Sequence, residues 1–244
     1  MTSWLEIDLT KTEKVHGLSF FNNLIGYKFI PKVASTSLKQ WFHYLEYGNF
    51  NENVHLHYRD SITDIENCQF KFLIVRDPVK RFLSVYNNQV IRYERCSRPQ
   101  IKRRHPNLFQ QMLNHNFFNP SLSTFIKHLN FYRNIWSIKH HTDSIVDLIN
   151  YRDFIFDKIY PIENLNEAID DILHVLKSHK VYKSPPKIPR KNATNFFEEK
   201  TLRDISEEEL NEIITFYEKD YQFLEERNCY SREKIIHEWK IAKS

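Results

Sequence analysis

The stretch Phe70-Lys71-Phe72-Leu73-Ile74-Val75, running straight into Arg76-Asp77-Pro78 and a segment of helical spacing, constrains the fold more than any other feature. A nearly continuous apolar run of this length suits a strand buried on both faces of a parallel sheet, and Pro78 belongs in the first turn of a helix starting at about Val79. The same grammar occurs earlier in the chain. Gly26-Tyr27-Lys28-Phe29-Ile30 is short, aromatic and ended by Pro31, as a buried strand would be, and Ser37–Tyr47 carries Leu38, Trp41, Phe42 and Leu45 on one helical face. A third strand is predicted over Asp153–Tyr160, with a helix over Asn164–Leu176 behind it. Ser206-Glu207-Glu208-Glu209 has capping-box spacing and opens one long helix to about Glu226. Strands alternating with helices predict an α/β layer fold around a parallel sheet, with added C-terminal helices.

At 244 residues, without internal repeats, the chain is expected to form a single domain over residues 1–244. The Pro-rich segment Ser184–Pro189 reads as an extended connector within it. With 41% hydrophobic and 27% charged residues, disorder is excluded. Only 3 glycines are present, which argues against a Gly-rich nucleotide cradle. The densest apolar run, Phe72–Val75, is far short of the roughly 18 residues of a membrane span. The start, Met1–Asp8, lacks the basic and apolar pattern of an export signal. Cys68, Cys96 and Cys229 are scattered, as reduced thiols would be, so a cytoplasmic location is expected. The net charge of +4 is modest, but its cations are concentrated. Arg92, Arg95, Arg98, Lys102, Arg103 and Arg104 face only Glu94, and they form either a solvated helix face or a surface that meets a polyanion.

Two loops carry chemistry. Pro31-Lys32-Val33-Ala34-Ser35-Thr36-Ser37-Leu38 lies between a predicted strand and a predicted helix. Helix amino termini offer unpaired amides and the positive end of a dipole to an anion, and Lys32 and three hydroxyls add to that; the alternative is that the serines merely cap the helix. The loop works like a P-loop without its glycine-lysine pattern. In the second loop, Arg76 stands at the carboxyl end of a strand and Ser84 two turns into the next helix. Ligands of open α/β sheets sit outside those strand ends, so two anion sites share one rim.

Together these motifs resemble the carbohydrate sulfotransferases, in particular the heparan sulfate 2-O-sulfotransferase and chondroitin sulfotransferase group. The resemblance covers Ile30–Leu38, similar to the family's P-K-x-x-[ST]-T-[ST] loop, and Ile74–Tyr86, similar to [IV]-R-[DE]-P-x-x-R-x-x-S-x-Y. It implies a P-loop-like three-layer α/β fold and the sulfuryl donor 3′-phosphoadenosine 5′-phosphosulfate (PAPS). By the same resemblance Lys32, Val33, Ala34, Ser35, Thr36 and Ser37 hold the 5′-phosphosulfate, while Arg76 and Ser84 hold the 3′-phosphate. Lys191, next to Arg190, is placed by analogy with a late basic segment that closes over that phosphate, with a solvated basic turn as the alternative. His57, the second histidine of Val54-His55-Leu56-His57-Tyr58, is implied as the catalytic base. The family's H-W-x-P-Q reads Ile135-Trp136-Ser137-Ile138-Lys139 here, so that segment's roles do not transfer, and Trp136 is expected in the core. His140 and His141, adjacent on a helix, point apart and are not expected to share a metal.

On this reading a carbohydrate hydroxyl attacks sulfur in line, His57 takes its proton, Lys32 stabilises the leaving oxygen, and no metal is needed. An anionic acceptor would suit Arg92–Arg104; nucleic acid is not an expected partner. Two other classes stay in view: a nucleotide-binding phosphotransferase, which would require Mg²⁺ ligands, and a noncatalytic polyanion-binding protein.

Overall fold

The computed structural model describes residues 14–181 and 199–244. Five strands form one sheet: β1 (His16–Phe20), β2 (Ile25–Lys28), β3 (Ile62–Asp64), β4 (Phe70–Val75) and β5 (Lys158–Pro161), in the order β3-β1-β2-β4-β5. The centre is parallel. Tyr27 of β2 is level with Phe72 of β4, and Ile74 of β4 is level with Tyr160 of β5. The remaining two strands are antiparallel, β1 pairing with both β2 and β3. The expected parallel sheet is thus the middle of a mixed one, whose β1–β3 edge is too short and too irregular in pattern to read from sequence. At Gly17 any Cβ would come within 2.6 Å of the Tyr27 carbonyl, so the β1–β2 pairing excludes a side chain there.

The helices follow in chain order. Early ones are α1 (Ser35–Tyr47), α2 (Val54–His57) and α3 (Pro78–Val85), the last continued by a π-helical turn over Tyr86–Arg92. A middle group comprises α4 (Arg98–Arg104), α5 (Pro106–Asn114), α6 (Leu122–Lys127), α7 (Leu129–Tyr132), α8 (Trp136–Thr142) and α9 (Ile145–Leu148). The later ones are α10 (Leu165–Ser178), α11 (Glu207–Phe216), α12 (Glu218–Glu226) and α13 (Arg232–Lys243).

Cross-strand partners point to the same side of a sheet, so Tyr27, Phe72 and Tyr160 share a face. Phe42 of α1 packs there, 6.2 Å from both the Tyr27 and Phe72 rings, and the Tyr160 hydroxyl reaches Asp171 of α10. A second core lies beneath α3, α6 and α11, where Val79, Phe82, Phe125, Leu210 and Ile213 pack together. Between these layers Arg81 of α3 is fully buried. It donates to the carbonyls of His141 and Asp143 at 3.2 and 2.7 Å and pairs with Asp220 of α12 at 3.6 Å. Asp220 in turn accepts from the Ser144 hydroxyl and the Ile145 and Val146 amides at the start of α9.

Two expectations are corrected here. The segment Asp153–Ile155 is a 3₁₀ turn and β5 begins only at Lys158, because Asp157 locks the register from its own position through paired bonds with Lys71. The capping box at Ser206 is present, but the helix it opens ends at Phe216. A break at Tyr217 lets that hydroxyl reach the Thr142 carbonyl and brings Asp220 to Arg81. The helix of Ser84 extends only as far as Arg92, the first cation of the Arg92–Arg104 cluster. It unwinds after Arg92, Glu94 takes a left-handed conformation (φ 48°), and α4 restarts with Pro99 in its first turn. Arg190, Lys191 and the Pro-rich connector lie outside the described residues.

Candidate functional site

Because β2 and β4 are parallel neighbours, their carboxyl ends open at the same edge, and the loop after each meets the other there. Ile30 and Val33 are buried and anchor the first loop, while Lys32 (φ 70°) and Ala34 (φ 61°) turn it through left-handed conformations with no glycine. That is strain of the kind concentrated at binding loops. The N-cap of α1 is Ala34, and no side chain caps it. Ser35, Thr36 and Ser37 are therefore the first three helical residues and do not cap the helix, leaving its amino end directed at the rim with no acidic residue in its first turn.

Arg76 ends β4, and its Nη1 donates to the Lys32 carbonyl at 3.4 Å, tying the two loops together. Asp77 caps α3 by accepting from the Lys80 amide at 3.0 Å, and it also accepts from the Tyr221 hydroxyl at 3.0 Å. Burial pushes its carboxyl up to about 6. Asp77 is a structural cap, fixed so that Arg76 and Ser84 point into the cleft.

Two cavities meet at this rim. The larger, about 610 Å³, is lined by Lys32, Ala34, the Ser35–Ser37 run, Arg76 and Ser84 from the two loops. His55, Asn88 and Gln89 also line it, as do Trp136, His140 and His141 of α8. The smaller, about 430 Å³, shares Lys32, Arg76, Ser84 and Asn88 and adds Lys80 and Glu199. The Asn87 carboxamide makes two bonds with the backbone of Lys200, both 2.9 Å, and so holds the chain after Glu199 against the π-helical turn.

The site is strongly cationic. Burial, with Arg76 and Arg92 nearby, lowers the Lys32 ammonium to about 8, partly offset by Glu199. Lys39, also in the lining, is likewise brought to about 8 by burial and sits 3.8 Å from the centre of the Phe29 ring; Lys28, lowered equally by burial, lies outside both linings and donates to the His16 carbonyl at 2.9 Å. Among the described residues no carboxylate lines the larger cavity. The cations are held close together and partly desolvated, an arrangement that an entering anion relieves.

Of the residues expected from sequence, Lys32, Ala34, Ser35, Thr36, Ser37, Arg76 and Ser84 converge on this cavity. The Val33 side chain is buried in the core and is not part of the lining. His57 points elsewhere: its ring packs edge-on against His43, Tyr47 and Tyr58, with centroids 4.7, 5.3 and 4.7 Å away. Its neighbour His55 lines the cavity and stands 2.9 Å from the Thr36 hydroxyl through Nε2. Burial and then Lys39 hold the His55 imidazole below its ordinary pKa.

Trp136, expected in the core, is 68% exposed at the cavity edge and lies parallel to His140, with ring centroids 5.2 Å apart. A short helix that begins at Trp136 turns Ile138 inward and leaves the indole outside. His141 bonds the Ser137 carbonyl through Nδ1 at 2.6 Å, and burial lowers it to about 4.

Asn88, Gln89, His140 and His141 also line the cavity, a placement that the sequence did not disclose. The one available signal was Asn87-Asn88-Gln89, three carboxamides inside a helix, where asparagine is disfavoured. The π-helical turn they form brings Asn88 and Gln89 into the lining together; such turns concentrate at functional sites.

Against known proteins, the model of the Sulfotransferase family matches residues 22–225, from the β1–β2 turn to the last turn of α12. No curated protein and no solved structure matches the chain.

Proposed function

The chain belongs to the sulfotransferase family, and from that premise we propose that it transfers a sulfuryl group from PAPS to a hydroxyl of a carbohydrate acceptor. The observation that carries this reading is the convergence of Lys32, the uncapped start of α1, Arg76, Ser84 and His55 on one cavity rim. The residues suit such a donor. Two linked cavities of about 610 and 430 Å³ share Lys32 and Arg76, and an anion entering there meets cations and hydroxyls with no carboxylate in the larger chamber. PAPS would supply the sulfuryl group there, its S–O bond breaking to leave adenosine 3′,5′-bisphosphate with the added negative charge on the 5′-phosphate.

The chain's own groups divide the work. Ser35, Thr36 and Ser37 with the first amides of α1 hold the 5′ end, and Arg76 with Ser84 holds the 3′-phosphate. Lys32 places an ammonium where charge gathers on the leaving side, fixed in advance by its left-handed backbone and buried stem. His55, in place of His57, is the general base: with Nδ1 carrying the ring proton, the single lone pair of Nε2 faces the Thr36 hydroxyl in the free protein, and it is released to take the acceptor's proton when that hydroxyl turns its hydrogen to the 5′-phosphosulfate. Its lowered pKa keeps it unprotonated at neutral pH. His141 is too weak a base at about 4 for that role.

Calorimetry with adenosine 3′,5′-bisphosphate and turnover with radiolabelled donor over a panel of sugars test the assignment. Lys32→Ala is expected to lower turnover by about 10²–10³. His55→Ala should lower it by about 10²–10⁴ with bisphosphate binding retained, while His57→Ala keeps most activity. Loss of activity in His57→Ala alone would return the base to His57. Binding of ATP with Mg²⁺ in preference to the bisphosphate would replace sulfuryl by phosphoryl transfer.

A further inference from the structure

Beside the larger cavity lies a chamber of about 280 Å³ lined by Arg95, Arg104, His105 and Ile135, with Trp136 and Ser137 common to both. Arg95 also belongs to both. Its Nε is buried without a hydrogen-bond partner, as are those of Arg81 and Arg152, but of these three only Arg95 faces the larger cavity and this chamber, where a ligand could complete it. Among the described residues no Asp or Glu lines the chamber. Arg92, Arg98 and Arg103 are not in its lining: Arg92 shares the Tyr93 ring with Arg95, Arg98 lies over the Phe118 ring, and Arg103 donates to Gln100 at 3.3 Å. The cationic character of Arg92–Arg104 is therefore directed into the chamber by Arg95 and Arg104 in particular. At its mouth, the indole of Trp136 is backed on one side by His140 and largely exposed.

We propose that this chamber is the acceptor's anion subsite: Arg95 and Arg104 take a carboxylate or sulfate carried by a sugar unit whose apolar ring face rests on Trp136. The inference deepens the sulfotransferase reading and rests on it in one respect, that transfer occurs in the larger cavity. Guanidinium groups pair with carboxylate and sulfate through two parallel N–H···O bonds, and the unpartnered Nε of Arg95 gains a bond only when an anion arrives. Burial, with crowding by Arg104 and Arg103, holds the Arg95 guanidinium below its ordinary pKa, and an anion arriving there relieves that crowding. The shared residues Arg95, Trp136 and Ser137 make the chamber continuous with the place of reaction, so the anion and the reacting hydroxyl belong to the same or adjoining sugar units.

Calorimetric titration of the full chain, with adenosine 3′,5′-bisphosphate present, uses three probes: methyl β-D-glucoside, methyl β-D-glucuronide and the 6-sulfate of the glucoside. The charged probes are expected to bind about ten- to a hundredfold more tightly than the neutral one. Whichever gains more identifies carboxylate or sulfate as the group recognised. Arg104→Gln should abolish that advantage without changing glucoside binding, and Arg103→Gln should preserve it; an unchanged thermal melt shows that both variants fold. Equal affinity for all three probes, binding of none, or an equal loss in Arg103→Gln would overturn the subsite. Repeating the titrations without the bisphosphate separates the two readings. A chain that ignores the bisphosphate yet prefers the charged probes loses its donor assignment and keeps its anion subsite.

Discussion

Lys32 is the residue on which site chemistry and sequence legibility meet. A lysine at the end of a buried strand and the start of a helix could be read as an anion ligand, and the structure places it on the shared wall of both chambers. The lowering to about 8 could not be read, because it arises from burial and from Arg76 and Arg92, which are brought close only by the fold. The choice between His55 and His57 was equally hidden. Both are on a four-residue helix, and its rotation alone decides which faces Thr36 and which packs on His43. A pH profile follows. In the free protein the Lys32 cation is lost as pH rises through about 8, so kcat/KM for the donor should fall above that value. On the acid side it should rise as His55 loses its proton, at a pH below that of an ordinary histidine. In kcat the alkaline limb moves upward, since a bound dianion stabilises the ammonium. Because Lys28 and Lys39 titrate in the same range, Lys32→Arg is the decisive variant. Its arginine remains charged, and persistence of the limb near pH 8 would assign it to another lysine.

Among the elements, β4 and the start of α3 were legible, since a nearly continuous apolar run followed by Arg-Asp-Pro has few other structural solutions. The π-helical turn was not. Its wider ring of hydrogen bonds is stabilised by tertiary contacts, among them the Asn87 clamp on Lys200, 113 residues away in sequence. The break at Tyr217 was hidden for a related reason, because it serves the buried partnership of Arg81 with Asp220. Arg81 lies inside the motif that resembles the donor-binding segment, yet it lines neither of the two linked cavities: it fastens α3 to the carbonyls that end α8 and thereby fixes where His141 stands. Removing one member of a buried ion pair leaves the other uncompensated, typically at about 3–5 kcal/mol. Arg81→Ala should therefore lower the unfolding free energy in urea by about that amount. Arg81→Met with Asp220→Asn should recover part of it, since neither buried charge is then left alone. A loss below about 1 kcal/mol, within the range of exposed ion pairs, would show that the pair contributes little.

At the scale of the whole molecule, the cavity draws on both hydrophobic cores. The Lys32 loop and α1 belong with the sheet core through Val33 and Leu38, while Ser84 and the π-helical turn belong with the second core through Phe82, Tyr86 and Val90. A donor held by Lys32 and α1 on one side and by Ser84 and Asn88 on the other bridges the two cores, so its binding free energy adds to the cohesion of the fold. Binding to the native state alone stabilises by about 2.7 kcal/mol at a hundredfold excess over Kd, worth about 5–10 °C in Tm for a chain of this size. Adenosine 3′,5′-bisphosphate should produce such a shift, and adenosine 5′-monophosphate, which gives Arg76 and Ser84 nothing to hold, a smaller one. The difference between the two should vanish in Arg76→Ala. It should also narrow as salt is raised, because charge-assisted contacts in so open and cationic a cleft are screened. If Arg76→Ala still distinguished the two nucleotides, the 3′-phosphate would have to be held by other residues, and the rim where β2 and β4 end would no longer account for the choice of donor.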